Sequence, residues 1–263
     1  MFRSVKMEEG YITEIFSSFQ GEGPYAGRRQ IFLRFAGCPF SCFYCDTAYA
    51  RDPKPSLCTV FCSEAAFEKR VMRNPLSSHR VIDVVNELFT PDIHSISYTG
   101  GEPLLSSSFL REIAIKAQSA HLKNFIETNG YSARAFAAIA DYFDFASIDI
   151  KLRSHQAVAE GDYENLYHNA LDCIRIAVDR KIETIVKVIV LKNTSFKEIE
   201  AICSDLSDFN VTFVLQPVTV PLPRHHATIV PSIEELFKLS EIAGRFLHDV
   251  MVLPQVHKFM RIP

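Results

Sequence analysis

Short runs rich in β-branched and aromatic residues alternate along the chain with longer stretches whose apolar positions recur every three or four residues. The short runs predict strands over Tyr11–Phe16, Gln30–Phe35, Ser95–Tyr98, Asn124–Glu127, Phe145–Ile150, Thr184–Leu191, Thr212–Gln216 and Asp249–Leu253. The longer stretches predict helices over Val81–Phe89, Ser107–Ala120, Ala133–Asp141, Tyr163–Arg180, Phe196–Leu206 and Ile233–Leu247. From Ser107 onward, Phe109, Leu110, Ile113 and Ala114 form a core-facing stripe, and Ile199, Ile202 and Cys203 repeat that spacing. Strands and helices in this rhythm imply βαβ units around a parallel sheet, which places ligands at the carboxyl ends of its strands.

Two stretches break the rhythm. Ala48–Ser78 contains Arg51-Asp52-Pro53-Lys54-Pro55 together with Cys58 and Cys62, and reads as an insertion. Val218–Pro231, with Pro221, Pro223 and the pair His225-His226, reads as a loop whose histidines face solvent. No internal repeat or linker divides the chain, so one domain over residues 1–263 is expected.

Composition narrows the function classes. With 48% hydrophobic and 22% charged residues in 263, the chain is of ordinary globular composition. A net charge of -3 without basic runs gives no electrostatic footprint for nucleic acid. The most apolar run, Ile185–Leu191, is broken by Lys187 and is far shorter than the ~18 residues of a membrane span. Met1–Lys6 leads into Glu8-Glu9 rather than an apolar segment, so no signal peptide is expected. The 7 cysteines then point to a reducing cytoplasm and to ligand or core roles rather than disulfides. Glycine is scarce, and Gly21, Gly23, Gly27, Gly37, Gly100, Gly101 and Gly130 all fall close to the candidate chemistry.

That chemistry centres on Gly37-Cys38-Pro39-Phe40-Ser41-Cys42-Phe43-Tyr44-Cys45-Asp46-Thr47. Three cysteines at C-x3-C-x2-C, on a loop just after a strand, suit zinc or an iron–sulfur cluster. A structural zinc needs a fourth ligand, and no His or Cys follows before Cys58. Three thiolates on a four-iron cube would leave one iron open. Cys58 and Cys62 have a C-x3-C spacing suited to a second metal, although incidental residues of the insertion are the simpler reading. Cys173 and Cys203 fall on helical core faces.

The triad resembles the hallmark of the radical S-adenosylmethionine superfamily, and Tyr98-Thr99-Gly100-Gly101-Glu102-Pro103 resembles that superfamily's GGEP motif. Within it the chain is most similar to the 7-carboxy-7-deazaguanine synthase family. The similarity rests on Glu14–Gly23, Gly27, the Phe-x-Arg of Phe32-Leu33-Arg34, Cys45-Asp46-Thr47 and a closing proline. It implies an α/β fold, a partial or irregular (β/α) barrel of about six parallel strands with the site at their carboxyl ends. It further implies a lyase that converts 6-carboxy-5,6,7,8-tetrahydropterin to 7-carboxy-7-deazaguanine with loss of ammonia. The implied cofactors are a 4Fe-4S cluster, S-adenosylmethionine and Mg2+; the implied partners are an electron donor and a second copy in a homodimer.

By the same resemblance, Cys38, Cys42 and Cys45 bind the cluster and Thr47 ligates Mg2+, although a threonine there also suits a helix N-cap. Gly101, Asp149-Ile150-Lys151 and Gln216-Pro217-Val218-Thr219 line the S-adenosylmethionine site, and Glu127–Gly130 adds a contact. Phe19-Gln20-Gly21, Arg34, Thr99 and the terminal carboxylate of Pro263 contact the pterin. The family often has Met-Asp where this chain has Val218-Thr219, Trp where it has Tyr44, and Asn-Leu where it has Pro39-Phe40. A glycyl-radical activase shares the triad and GGEP but not the opening segment. A non-catalytic iron–sulfur or zinc protein requires neither.

Overall fold

The computed structural model describes residues 8–62, 68–219 and 229–262. Its strands are β1 (Glu9–Gly10), β2 (Ile12–Phe19), β3 (Arg29–Phe35), β4 (Leu57–Phe61), β5 (Lys69–Arg73) and β6 (Leu76–Ser77). They continue with β7 (Ser95–Gly100), β8 (Asn124–Thr128), β9 (Phe145–Asp149), β10 (Glu183–Val190), β11 (Thr212–Pro217) and β12 (Val250–Val252). The helices are α1 (Ser78–Leu88), α2 (Ser107–Ser119), α3 (Ala133–Ala137), α4 (Tyr163–Asp179), α5 (Phe196–Asp205), α6 (Ile233–Ala243) and α7 (Val256–Met260).

One 10-stranded sheet runs in the order β12-β11-β10-β9-β8-β7-β3-β2-β4-β5. From β3 to β12 every neighbouring pair is parallel, a run of seven strands where about six are expected. Among the described residues the end strands do not pair, so the sheet is open, as a partial barrel requires. The helices cover the outer face. The predicted stripes dock there: Phe109, Leu110, Ile113 and Ala114 of α2 and Ile199, Ile202 and Cys203 of α5 are all buried. Ser77, Ser195 and Ser232 cap α1, α5 and α6, each accepting from a backbone N–H of the first turn.

The described residues of Ala48–Ser78 form more regular structure than the sequence suggests. After a short 3-10 turn comes the antiparallel hairpin β4–β5, whose β4 pairs in parallel with β2 and extends the sheet. Cys58 and Cys62 lie four residues apart along this extended chain, ~13 Å at the strand rise, which is too far for one metal ion. Cys58 is fully buried against the core and Cys62 is exposed. The predicted helix over Ala133–Asp141 also divides. It tightens into a 3-10 turn at Ala140–Tyr142, and Phe136, Ile139 and Ala140 all reach the core.

Strand alternation on the inner face sets the site. At the amino ends of the strands Phe125, Phe145, Ile185 and Val214 pack into an apolar plug with Tyr25. Two or four residues further along the same faces stand Glu127, Asp149, Lys187 and Gln216. The sheet is therefore oily at one mouth and charged at the other. A register shift between Ile12 and Glu14 lets Ile12 and Ile15 reach the core while Glu14 and Phe16 face the charged mouth.

Candidate active site

A cavity of about 390 Å³ opens at the carboxyl ends of the parallel strands, within the size range of small-molecule sites. Its floor is a chain of buried charges. Lys187 pairs with Glu22 and lies 3.3 Å from Asp149, and Asp149 in turn meets Lys151 at 3.0 Å. Desolvation opposes every one of these charges, and the opposite charge beside each outweighs it. Glu22 and Asp149 are held below the usual carboxylate range, and Lys151 and Lys187 above the usual ammonium range. Glu127 differs: burial drives its carboxyl up even with Lys187 near and with Gln20, Ser97 and Thr99 donating to it.

One wall joins the cysteine loop to the GGEP turn. The Gly37 carbonyl accepts from the Glu102 N–H at 2.8 Å, and a Cβ at Gly101 would lie 2.0 Å from that same carbonyl oxygen. Only glycine fits there. Glu102 caps the following 3-10 turn by accepting from the Leu104 N–H, and also accepts from the Thr128 hydroxyl and the Asn129 N–H. Burial still lifts its pKa to about 7. Cys38, Cys42 and Cys45 pack in one small cluster around Phe40, Ala157 and Leu166, and all three line the cavity. The Asn129 amide faces Cys38 Sγ at 3.9 Å, and Arg51 donates to the Cys42 carbonyl at 2.6 Å.

The facing wall comes from the start and the end of the described chain. Gln20 is spent on the protein itself. Its amide nitrogen reaches Gln30 and Glu127, and its amide oxygen accepts from the Gly21 and Glu22 N–H groups. Its side chain therefore braces this wall, while the residue itself lines the cavity. Arg34 lies over the Phe16 ring and is held through Nε by Glu14 at 2.9 Å, and no described residue takes its two terminal nitrogens. Phe16 and Phe32 stack at 5.0 Å and give the cavity a flat apolar side. Gln255 donates to both Glu22 and Asp46, Lys258 pairs with Asp46 at 2.9 Å, and the Val256 N–H donates to the Gly21 carbonyl. These bonds fasten α7 across the cavity mouth.

Of the residues singled out in the sequence, the three cysteines, Thr47, Phe19, Gln20, Gly21, Arg34, Thr99, Gly101, Asp149, Lys151, Gln216, Val218 and Thr219 all line this one cavity. Ile150 and Pro217 do not. Ile150 alternates outward from Asp149 and Lys151 into the core, and Pro217 likewise alternates away from Gln216 and Val218. Pro263 and His225-His226 lie outside the described residues. Thr47 precedes a 3-10 turn without capping it, and its hydroxyl donates to Asp46 instead. Glu127, Thr128 and Asn129 of the expected Glu127–Gly130 contact line it as well, and Gly130 does not. Glu14, Glu22, Lys187 and the α7 residues are given no role in the site by the sequence reading. The signal for Lys187 was present, since a lone charge inside an apolar strand must be paired.

The sequence signature of the Radical SAM superfamily matches residues 33–206. A 7-carboxy-7-deazaguanine synthase from Methanocaldococcus jannaschii is 38% identical over 95% of this chain and 98% of its own length. This chain belongs to the 7-carboxy-7-deazaguanine synthase family. A family member from Geobacter sulfurreducens is 32% identical over 95% of this chain and 96% of its own. The crystal structure of QueE from Escherichia coli superposes with a TM-score of 0.61 at 19% identity, covering 95% of each chain, and so shares the fold.

Membership in this radical SAM family brings with it a 4Fe-4S cluster and S-adenosylmethionine, and the residues present fit both. Cys38, Cys42 and Cys45 lie together on the cavity wall, as a cube that takes thiolates at separate corners requires. Cys58, Cys62, Cys173 and Cys203 are all absent from the cavity wall. Gln216 Oε1 is buried on that wall without a hydrogen-bond partner, an acceptor awaiting a donor from a ligand.

Proposed function

We propose that the chain converts 6-carboxy-5,6,7,8-tetrahydropterin to 7-carboxy-7-deazaguanine with loss of ammonia, a step toward deazapurine nucleosides. The observation that carries this reading is Arg34: a guanidinium locked through Nε by Glu14, its remaining fork turned to a cavity that also holds the cysteine triad. Such a fork suits bidentate pairing with a substrate carboxylate.

Cys38, Cys42 and Cys45 would hold the cluster, which with S-adenosylmethionine supplies one-electron chemistry that starts hydrogen abstraction from the substrate. Burial raises the Cys38 thiol to about 11, so metal binding there releases a proton. Asp149, Lys151, Gln216, Val218 and Thr219 form the cosubstrate side, with Gly101 setting the turn beneath it. Arg34 and Thr99 orient the pterin against the stacked Phe16 and Phe32. Thr47, with Asp46 beside it, is suited to Mg2+, which prefers few protein ligands. The protein's share is orientation and exclusion of water. The reading carries with it an external one-electron donor, a reducing cytoplasm and a homodimer. Among the described residues no helix is long and apolar enough to cross a membrane.

The test is anaerobic reconstitution with iron and sulfide, then incubation with reductant, Mg2+, S-adenosylmethionine and the carboxypterin. Mass detection of the deazaguanine together with 5′-deoxyadenosine supports the reading. Deoxyadenosine without the deazaguanine overturns the substrate, and neither product overturns the radical chemistry.

A further inference from the structure

Tyr44 stands between two of the three loop cysteines, and its hydroxyl meets Nδ1 of His155 at 3.0 Å. His155 is fully buried. Its Nε2 faces the Ile189 carbonyl at 2.9 Å, and a carbonyl only accepts, so Nε2 carries the proton and Nδ1 presents a lone pair. Two donors share that lone pair, the Tyr44 hydroxyl and the Leu152 N–H at 3.1 Å. Burial and the neighbouring Lys151 ammonium keep the ring neutral, with a pKa pushed down to about 3. The surroundings thus fix a single tautomer. The two rings meet edge to face, 4.8 Å between centroids.

What the ring joins gives it meaning. Ile189 lies at the cavity end of β10, and Leu152 follows directly on Asp149 and Lys151. His155 therefore ties the cysteine loop to two strand ends on the cosubstrate side. A phenylalanine or tryptophan at position 44 would fill similar space without bringing this hydroxyl.

We propose that His155 is a positioning residue that, through the Tyr44 hydroxyl, registers the Cys42–Cys45 segment against the strand ends facing S-adenosylmethionine. This rests on the cluster and cosubstrate assignments above.

The test compares wild type, Tyr44→Phe, His155→Phe and the double variant after anaerobic reconstitution. Iron content should be equal in all four. Tyr44→Phe should weaken S-adenosylmethionine binding about three- to tenfold, the worth of one hydrogen bond, with pterin affinity unchanged. The change that S-adenosylmethionine produces in the electron paramagnetic resonance of the reduced cluster should alter with it. Adding Tyr44→Phe to His155→Phe should bring no further loss. If His155→Phe does not fold, His155→Gln takes its place in the cycle. Wild-type cosubstrate affinity and spectrum in Tyr44→Phe would overturn the proposal, as would additive losses or an equal loss of pterin affinity. A wild type that binds the cluster and cosubstrate but forms no deazaguanine removes the substrate assignment and leaves this one standing. A wild type that takes up no iron removes both.

Discussion

Lys187 and Glu22 form an ion pair across 165 residues of sequence, and both line the cavity. Lys187 serves Asp149 as well, so its removal leaves Glu22 with no cation beside it and Asp149 with Lys151 alone. Lys187→Met should cost about 3–5 kcal/mol in urea unfolding near neutral pH, as expected when one partner of a buried pair is lost. Both carboxylates are held below the ordinary range, so their contribution is present above that range and is lost as pH falls through their folded pKa values. The deficit of the variant should shrink on acidification. An equal deficit at every pH would show that packing, rather than charge, is what Lys187 supplies.

Two glycines should fail in different ways. At Gly101 an added Cβ meets the Gly37 backbone at 2.0 Å, so Gly101→Ala must move the cysteine loop and should lower iron uptake. At Gly21 the obstacle is the His257 ring, also at 2.0 Å, which can swing away with α7. Gly21→Ala should keep its iron, raise the KM for the pterin and make the segment after Val252 more sensitive to protease. Iron analysis and limited proteolysis separate the two.

The seven cysteines should divide by location. Replacing Cys38, Cys42 or Cys45 by serine should abolish the iron–sulfur absorbance. Cys62→Ser, at an exposed position, should leave iron content and thermal midpoint unchanged. Cys173→Ala removes a buried sulfur that packs against the Gly130 carbonyl at 3.7 Å, and should cost about 1–2 kcal/mol with the cluster intact. Iron lost from the Cys62 variant would restore a second metal site.

Most of the sheet is legible in the sequence because parallel strands, covered on both sides, read as short apolar runs such as Ile185–Leu191. The hairpin β4–β5 is not. Its β5 is Lys69-Arg70-Val71-Met72-Arg73, an edge strand whose charges blunt further pairing and mask the strand pattern. The site divides along similar lines. The cysteines and the GGEP turn announce themselves by spacing, and Arg34 by its place ahead of them. Lys258 belongs to a five-residue helix with no periodicity to read and Gln255 directly precedes it, and their roles depend on Glu22 and Asp46, far away in sequence. Gln20 is a subtler case: the residue type fits a ligand contact, and only the structure shows both ends of its amide already engaged.

Glu102 provides a pH signature of its own. A carboxyl raised by burial from an ordinary 4.5 to about 7 favours the folded state most at low pH. Stability should decline as pH rises from about 4.5 to about 7 and level off beyond, because over that window the folded chain keeps a proton the unfolded chain has lost. Glu102→Gln should remove that share of the slope. It should also cost about 1–3 kcal/mol, since its amide cannot accept from all of Leu104, Thr128 and Asn129. The difference in urea midpoint between wild type and variant, followed from pH 4.5 to pH 8 on metal-free protein, should narrow with rising pH. A constant difference would mean that Glu102 is ionised throughout.

The bond from Gln255 to Glu22 closes a loop of 233 residues. Contacts of such separation form late, because the chain entropy of closing the loop is spent before the contact gives anything back. The sheet and its helices are assembled largely from neighbouring βαβ units and can be in place first. The pocket is then the last part of the molecule to mature, and a refolding experiment should regain helical signal before it regains the ability to retain substrate.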